Sequence, residues 1–200
     1  MPSPKTQSPH RHAIFFDRDD TLIHCRDAAS NGDLGDPALV RLLPTVLESI
    51  QLLKNTGFTL IVFSNQGGVA RGRYTTKDVD AVNAEVNNQL DGAIRAFYYC
   101  PYHPKGAVPK YTREHHTRKP APGMLHRAAE DFDINLSKSW VVGDSARDCK
   151  AGKAVNARTI LIPRPEFYTP EEANAEDADF QTGTLLEAAE IILRETGITA

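Results

Sequence analysis

The stretch Asp17-Arg18-Asp19-Asp20-Thr21 sets three carboxylates and a guanidinium directly behind an apolar run, Ala13-Ile14-Phe15-Phe16. Carboxylates this close raise one another's proton affinity, and the repulsion is tolerated where a cation or a chemical step offsets it. In extended chain alternate side chains share a side, so Asp17 and Asp19 point together and Arg18 away. Such a pair can hold a hard divalent cation, with Asp144 or Asp148 supplying a further oxygen. Alternatively, one carboxylate serves as nucleophile and its neighbour as acid and base, their environments holding the two pKa values apart. Both uses can coexist.

Groups like these need a rigid frame. Apolar runs of strand length occur at 13–16, 58–63, 93–100, 139–143 and 158–162. Between them lie segments of helical period. Val46, Leu47, Ile50 and Leu53 keep helical spacing between Pro44 and Gly57, and Thr75 or Thr76 caps a helix striped by Val79, Val82, Val86 and Leu90. A helix begins at Pro122, whose ring suits a first turn, and runs to about 132; a short one covers about 146–154, and the last covers about 184–195. Strand–helix alternation repeated this often predicts an α/β fold, a parallel sheet with helices on both faces. The polar stretch at about 101–117 is too long for a turn and reads as an inserted loop. It stands where a larger cap could have been.

Open parallel sheets bind ligands at the carboxyl ends of their strands. Ser64-Asn65-Gln66-Gly67-Gly68 follows the second strand, Gly143-Asp144 to Asp148 the fourth, and Arg118-Lys119-Pro120 falls between the third and fourth. Carboxylates, a hydroxyl, a glycine pair and a lysine therefore map to one edge. An aspartate attacking phosphorus would form an aspartyl-phosphate there, with Mg2+ and Lys119 neutralising the transferring group and Ser64 hydrogen-bonding its oxygens.

Asp17-Arg18-Asp19-Asp20-Thr21, Ser64, Lys119 and Gly143-Asp144 to Asp148, in that order, resemble the four motifs of the haloacid dehalogenase-like (HAD) phosphatases. Within that family, Ser64 to Gly72 (SNQGGVARG), Cys100-Pro101 with His103-Pro104, and Arg118 to Met124 (RKPAPGM) look like the D-glycero-D-manno-heptose 1,7-bisphosphate phosphatase branch, to which histidinol-phosphate phosphatases are related. The resemblance implies a three-layer, Rossmann-like fold. It implies Asp17 as nucleophile, Asp19 as general acid and base, and Ser64 and Lys119 as holders of the phosphoryl group. Mg2+ would sit on the Asp17 carboxylate, the Asp19 backbone carbonyl and Asp144. Thr21, Asn65, Arg71 and Arg118 would serve the substrate, a small phosphorylated sugar losing its 7-phosphate.

Two departures stand out. Asp20 takes a position where the family has glycine. The branch also carries a structural Zn2+ on C-x-H and C-x-C elements, of which Cys100 remains while Tyr102, His115 and Thr117 occupy the other ligand positions. Cys100, His103, His115 and His116 could rebuild a tetrahedral site, the alternative being a metal-free loop.

The 200 residues carry a formal net charge of -3, so no global attraction draws nucleic acid or an anionic membrane. There is no apolar run of membrane-spanning length, and no G-x-x-x-x-G-K-[ST] loop for a nucleotide-driven kinase. The three cysteines are widely spaced, which suits free thiols and a cytoplasmic protein. Residues 1–11, polar and proline-rich, read as a disordered tail, and 12–200 as one domain, a monomer or weak homo-oligomer. Two other functions fit parts of the pattern: a phosphoaspartate regulatory module, which lacks use for the second aspartate, and a nucleic-acid 3′-phosphatase, which the acidic balance disfavours.

Overall fold

Alternation within the buried strands assigns each residue to one of two cores. In the computed structural model, which describes residues 11–29, 32–164, 166, 167, 169 and 178–198, strand β1 (Ala13–Phe16) is buried along its whole length. Ile14 and Phe16 enter one hydrophobic cluster, and Ala13 and Phe15 the other. The remaining elements are α1 (Val46–Leu53), β2 (Thr59–Asn65), α2 (Thr76–Gln89), β3 (Ala96–Cys100), α3 (Gly123–Phe132), β4 (Trp140–Gly143), α4 (Ala146–Lys153), β5 (Arg158–Leu161), β6 (Phe180–Gln181) and α5 (Leu185–Thr196). The first cluster takes Ile50 of α1, Val82 and Val86 of α2 and Ile192 of α5; the second takes Leu125 and Ala128 of α3 and Ala151 of α4. The result is three layers, as expected. Each fully buried Phe or Leu contributes about 1.5–3 kcal/mol against exposure.

The strands run in the order β3-β2-β1-β4-β5-β6, and every pair is parallel. The chain winds outward from β1 through β2 to β3, then returns to the far side of β1 for β4. That reversal leaves a crevice between β1 and β4, where a parallel sheet binds its ligand.

Local details depart from the sequence reading in four places. The third strand begins at Ala96 rather than at 93, because Gly92 adopts φ 70° and Asn87 Oδ1 takes the Ile94 amide in a turn. Pro122 caps α3 from outside the helix. The two-residue strand β6 was not foreseen; Asp179 fixes it by accepting from the Thr159 amide at 2.7 Å. Residues 1–10 of the expected tail lie outside the described residues, while Arg11, assigned to it, bridges Ile134 in parallel. Among the described residues no helix is long and apolar enough to cross a membrane.

The insert at 101–117 holds one 3-10 turn, Pro109–Tyr111, and is tied to the loop after β2. The amides of Ala107 and Val108 both donate to the Ala70 carbonyl, at 2.7 and 2.9 Å. The insert therefore leans over the ends of the strands.

Candidate active site

At the carboxyl edge of the sheet, Asp17 leaves β1, Ser64 and Asn65 close β2, and Asp144 leaves β4. Asp17, Ser64 and Asn65 open on a cavity of about 220 Å3, also lined by Asp19, Arg26, Gly67, Arg71, His103, Arg118, Lys119 and Arg147, while Asp144 is fully buried. Asp17 Oδ1 accepts from the Arg18 amide at 2.7 Å and lies 2.8 Å from Lys119 Nζ. No hydrogen bond falls on its other oxygen among the described residues.

Lys119 reaches Asp17 from a segment outside the sheet, and two devices hold it there. Its Nζ lies 2.6 Å from Asp148 Oδ1 and donates to the Phe63 carbonyl at 3.1 Å. Its backbone is clasped by Asn65, whose Nδ2 donates to the Lys119 carbonyl at 3.1 Å and whose Oδ1 accepts the Lys119 amide at 3.0 Å. Asn65, expected on the substrate, thus has its amide committed to positioning the lysine. Burial alone would lower the Lys119 pKa, but Asp148 and Asp17 outweigh it and raise the value. The ammonium is permanent at neutral pH. Burial pushes Asp17 up to about 6 from 3.8, with Asp148 and Asp19 adding to the rise and Lys119 opposing it.

Carboxylate oxygens of Asp17, Asp144 and Asp148 gather within 4.8 Å of one another, all buried. Three buried carboxylates this close repel one another, a cation among them would offset that repulsion, and the all-oxygen donor set suits a hard divalent ion. Asp148 is already engaged: Oδ2 accepts the Ser145 amide and hydroxyl at the start of α4, and Oδ1 takes Lys119. Gly143 makes room for it, since a Cβ there would lie 2.4 Å from Asp148 Cγ. The carboxylate of Asp19 is outside this cluster, in keeping with its expected part in the metal set being the backbone carbonyl alone.

Asp19 turns instead to Arg18 and Gln66. Arg18 is fully buried; its Nε donates to Asp19 Oδ1 at 2.9 Å and its Nη1 to Asn83 of α2 at 2.9 Å. Gln66 Nε2 donates to Asp19 Oδ2 at 2.7 Å and to Ser64 Oγ at 2.8 Å. Neither Arg18 nor Gln66 was singled out from sequence, although Gln66 stands two residues beyond Ser64, the spacing of side chains that share a side.

Asp20 has φ 59°, a left-handed conformation that glycine takes freely and aspartate tolerates. Its Oδ1 accepts the amides of Cys25 and Arg26 at 2.9 and 3.1 Å, and its Oδ2 pairs with Arg26 Nη1 at 2.8 Å. The residue that breaks the family pattern therefore pins the turn behind it and fixes Arg26 on the cavity wall.

Two other expectations are corrected. Thr21 does not line this cavity; its buried hydroxyl sits beside a smaller hollow with Leu43, Ile162 and Arg164. The four candidate zinc ligands do not assemble: among the described residues the Asp17, Asp144 and Asp148 cluster is the one group that could hold an ion. His115 stacks on Tyr102 at 4.1 Å, Cys100 is buried as a free thiol, and His103 lines the cavity. Arg71 lines it too, with Nε donating to Asp33 at 3.0 Å and Nη2 pairing with the same carboxylate.

Residues 12–182 match the family model described as polynucleotide kinase 3 phosphatase. The D-glycero-beta-D-manno-heptose-1,7-bisphosphate 7-phosphatase of Escherichia coli (strain K12) is 34% identical over 169 residues, 82% of this chain and 86% of that protein. The chain belongs to this family of HAD-like phosphatases. The D-glycero-D-manno-heptose-1,7-bisphosphate 7-phosphatase of Chlorobaculum tepidum is 34% identical over 74% of the phosphatase chain and 77% of its own. The D,D-heptose 1,7-bisphosphate phosphatase of B. bronchiseptica, solved with magnesium and phosphate, superposes with a TM-score of 0.76 at 26% identity, covering 92% of this chain and 99% of that one. A HAD-like phosphatase of Mesorhizobium loti gives a TM-score of 0.73 at 30% identity, covering 92% and 88%.

Proposed function

We propose that this phosphatase removes the 7-phosphate of D-glycero-D-manno-heptose 1,7-bisphosphate, or of a close sugar bisphosphate, through an aspartyl-phosphate on Asp17. One observation carries the choice of a doubly anionic substrate. Around Gly67, two guanidinium groups and an imidazole edge converge: a Cβ there would lie 3.0 Å from Arg71 Nη1, 3.1 Å from His103 Cδ2 and 3.4 Å from Arg118 Nη1. Burial above all, with a smaller push from the neighbouring Arg147 and Arg71 and against the pull of Cys100, holds the Arg118 pKa down. An anion at that point relieves the crowding, and the phosphate at Asp17 leaves a second phosphate free to reach it.

In the first step the free carboxylate oxygen of Asp17 attacks phosphorus in line with the sugar oxygen. The Asp17–phosphorus bond forms as the phosphorus–sugar bond breaks, and Asp19 passes its proton to the departing alkoxide. Ser64 donates to a phosphoryl oxygen, and Lys119 balances the charge that Asp17 shares with phosphorus. In the second step Asp19, now ionised, takes a proton from water; the oxygen attacks phosphorus, and Asp17 leaves as carboxylate with inorganic phosphate. Asp17 and Asp144, with the Asp19 backbone carbonyl, would hold Mg2+, which screens the phosphoryl oxygens and favours in-line attack.

The test is phosphate release by the purified protein with Mg2+ on a panel: heptose bisphosphate, sugar monophosphates, histidinol phosphate and a 3′-phosphorylated oligonucleotide. The expected order puts heptose bisphosphate first in kcat/KM, with Asp17→Asn inactive but folded. A higher kcat/KM on the oligonucleotide or histidinol phosphate overturns the substrate, and a stable phosphoprotein without turnover overturns hydrolysis.

A further inference from the structure

Tyr74 lies beyond the expected motifs and lines no part of the cavity, yet its ring occupies a slot cut for it. A Cβ at Gly68 would fall 2.4 Å from the ring, and one at Gly35 would fall 2.5 Å from Tyr74 Cβ. Glycines from two separate loops thus clasp this side chain, and any larger residue at either would displace it. The Tyr74 hydroxyl donates to Gln66 Oε1 at 2.8 Å. Burial, reinforced by the negative charge of Asp19, raises the Tyr74 pKa, so the hydroxyl keeps a proton to give; with Gln66 Nε2 committed to the Asp19 carboxylate, Oε1 is the atom left to accept it.

That direction decides the rest of the chain of bonds. With Oε1 accepting from Tyr74, the Gln66 amide cannot flip without setting its NH2 against the tyrosine proton's place and its oxygen against Asp19. Its two amide protons go to Asp19 Oδ2 at 2.7 Å and Ser64 Oγ at 2.8 Å. Ser64 Oγ is thereby an acceptor on its inner side, and its own proton is left to point elsewhere. Asp19 Oδ1 is held from the other side by Arg18 Nε at 2.9 Å. Both carboxylate oxygens of Asp19 are gripped by fixed donors, and Gln66 itself is fully buried.

We propose that Tyr74 and Gln66 are positioning residues for catalysis: Tyr74 locks the Gln66 amide, which aims the Asp19 carboxyl at the leaving oxygen and turns the Ser64 hydroxyl toward the phosphoryl group. This rests on the reading of Asp19 as acid and base given above. The link matters because proton transfer depends on reach and alignment, and loss of either costs a large share of the roughly 10²–10⁴-fold that such a group supplies. A Gln66→Glu side chain has the same shape but accepts where the amide donates; it repels Asp19 and draws the Ser64 proton inward. Tyr74→Phe keeps the ring in its slot and removes the lock alone.

The deciding measurement is the single-turnover rate of leaving-group release for two esters, a sugar phosphate and p-nitrophenyl phosphate. The sugar alkoxide needs a proton to leave; nitrophenolate hardly does. Gln66→Glu, Gln66→Leu and Tyr74→Phe are compared with wild type and Asp19→Asn, with thermal melts on each. The expected result is a roughly 10- to 100-fold loss on the sugar ester for the Gln66 variants, with the Tyr74 variant smaller in the same sense. On the aryl ester the loss is clearly the smaller one, since only the Ser64 hydroxyl's aim is lost there, and on the sugar ester kcat falls with KM nearly unchanged. Equal losses on both esters, or none, overturn the proposal while Asp19→Asn still separates them. If Asp19→Asn fails to separate them although Asp17→Asn is dead, the acid–base reading of Asp19 falls, and the positioning role falls with it.

Discussion

Asn65 and Lys119, 54 residues apart in sequence, are joined backbone to side chain by a pair of hydrogen bonds, 3.0 and 3.1 Å long. The strand end therefore holds the lysine's main chain, while Asp17 and Asp148 hold its ammonium. Asn65→Ala leaves the Lys119 amide and carbonyl without these partners, a loss of about 1–3 kcal/mol when such groups are buried. We expect a fall in kcat of roughly tenfold or more, since each 1.36 kcal/mol of lost transition-state stabilisation is tenfold. Asn65→Asp, which keeps the acceptor alone, should fall between the two in steady-state kinetics. Unchanged kcat in Asn65→Ala would mean the ammonium needs no such clasp.

Asp20 sets a backbone cost against three bonds. A non-glycine residue in the left-handed region pays about 1–2 kcal/mol, and the carboxylate recovers more through Cys25, Arg26 and the Arg26 guanidinium. Asp20→Gly should thus destabilise the fold by roughly 1–2 kcal/mol despite relieving the strain, and Asp20→Ala by about 1 kcal/mol more, because alanine keeps the strain and loses the bonds. Denaturant unfolding reads both. A glycine variant more stable than wild type contradicts this ranking.

Arg118 and His103 approach the same point above Gly67. Arg118→Ala should raise KM for a sugar bisphosphate by roughly 10- to 100-fold, as expected for one charged hydrogen-bond partner, with a smaller change for a monophosphate. His103→Ala should act in the same direction and more weakly. Equal effects on mono- and bisphosphate would remove the second anion from this wall.

The Asp17 carboxyl, raised by burial to about 6 from 3.8, links stability to pH and metal. The folded state holds this proton more tightly than the unfolded chain, so the group's contribution is full below pH 3.8 and is lost as pH rises through about 6. A divalent ion needs the ionised form and so competes with that proton. Added Mg2+ should raise Tm more at about pH 7.5 than at about pH 5, and chelation should remove the gain. A gain independent of pH across that interval would place the ion away from Asp17.

Gly143 leaves the space that the Asp148 carboxyl fills. Gly143→Ala should therefore displace Asp148, loosen Lys119 and lower kcat, with a loss of stability of about 1–3 kcal/mol, the scale of an overpacked core. Thermal melts alongside kinetics would check it.

Much of this protein was legible without coordinates. Binary patterning marks every major strand and helix, because a parallel sheet covered on both sides demands continuous apolar strands, and motif order places Asp17, Ser64, Lys119 and Asp144 at one edge. β6 escaped notice because two residues carry no period. Residues 30, 31, 165, 168, 170–177, 199 and 200 lie outside the described residues, with part of the loop expected around Asn31 among them. What sequence could not decide was where a polar side chain spends its hydrogen bonds, since those partners come from segments that only folding brings together. Asn65, expected on the substrate, gave its amide to the Lys119 backbone, and Thr21 turned inward. His103 left the supposed zinc set for the cavity wall, and Asp20 proved to be an anchor. Residue types and spacing determined which chemistry is present; the burial and fixed geometry of tertiary contacts decided which atom is left to perform it.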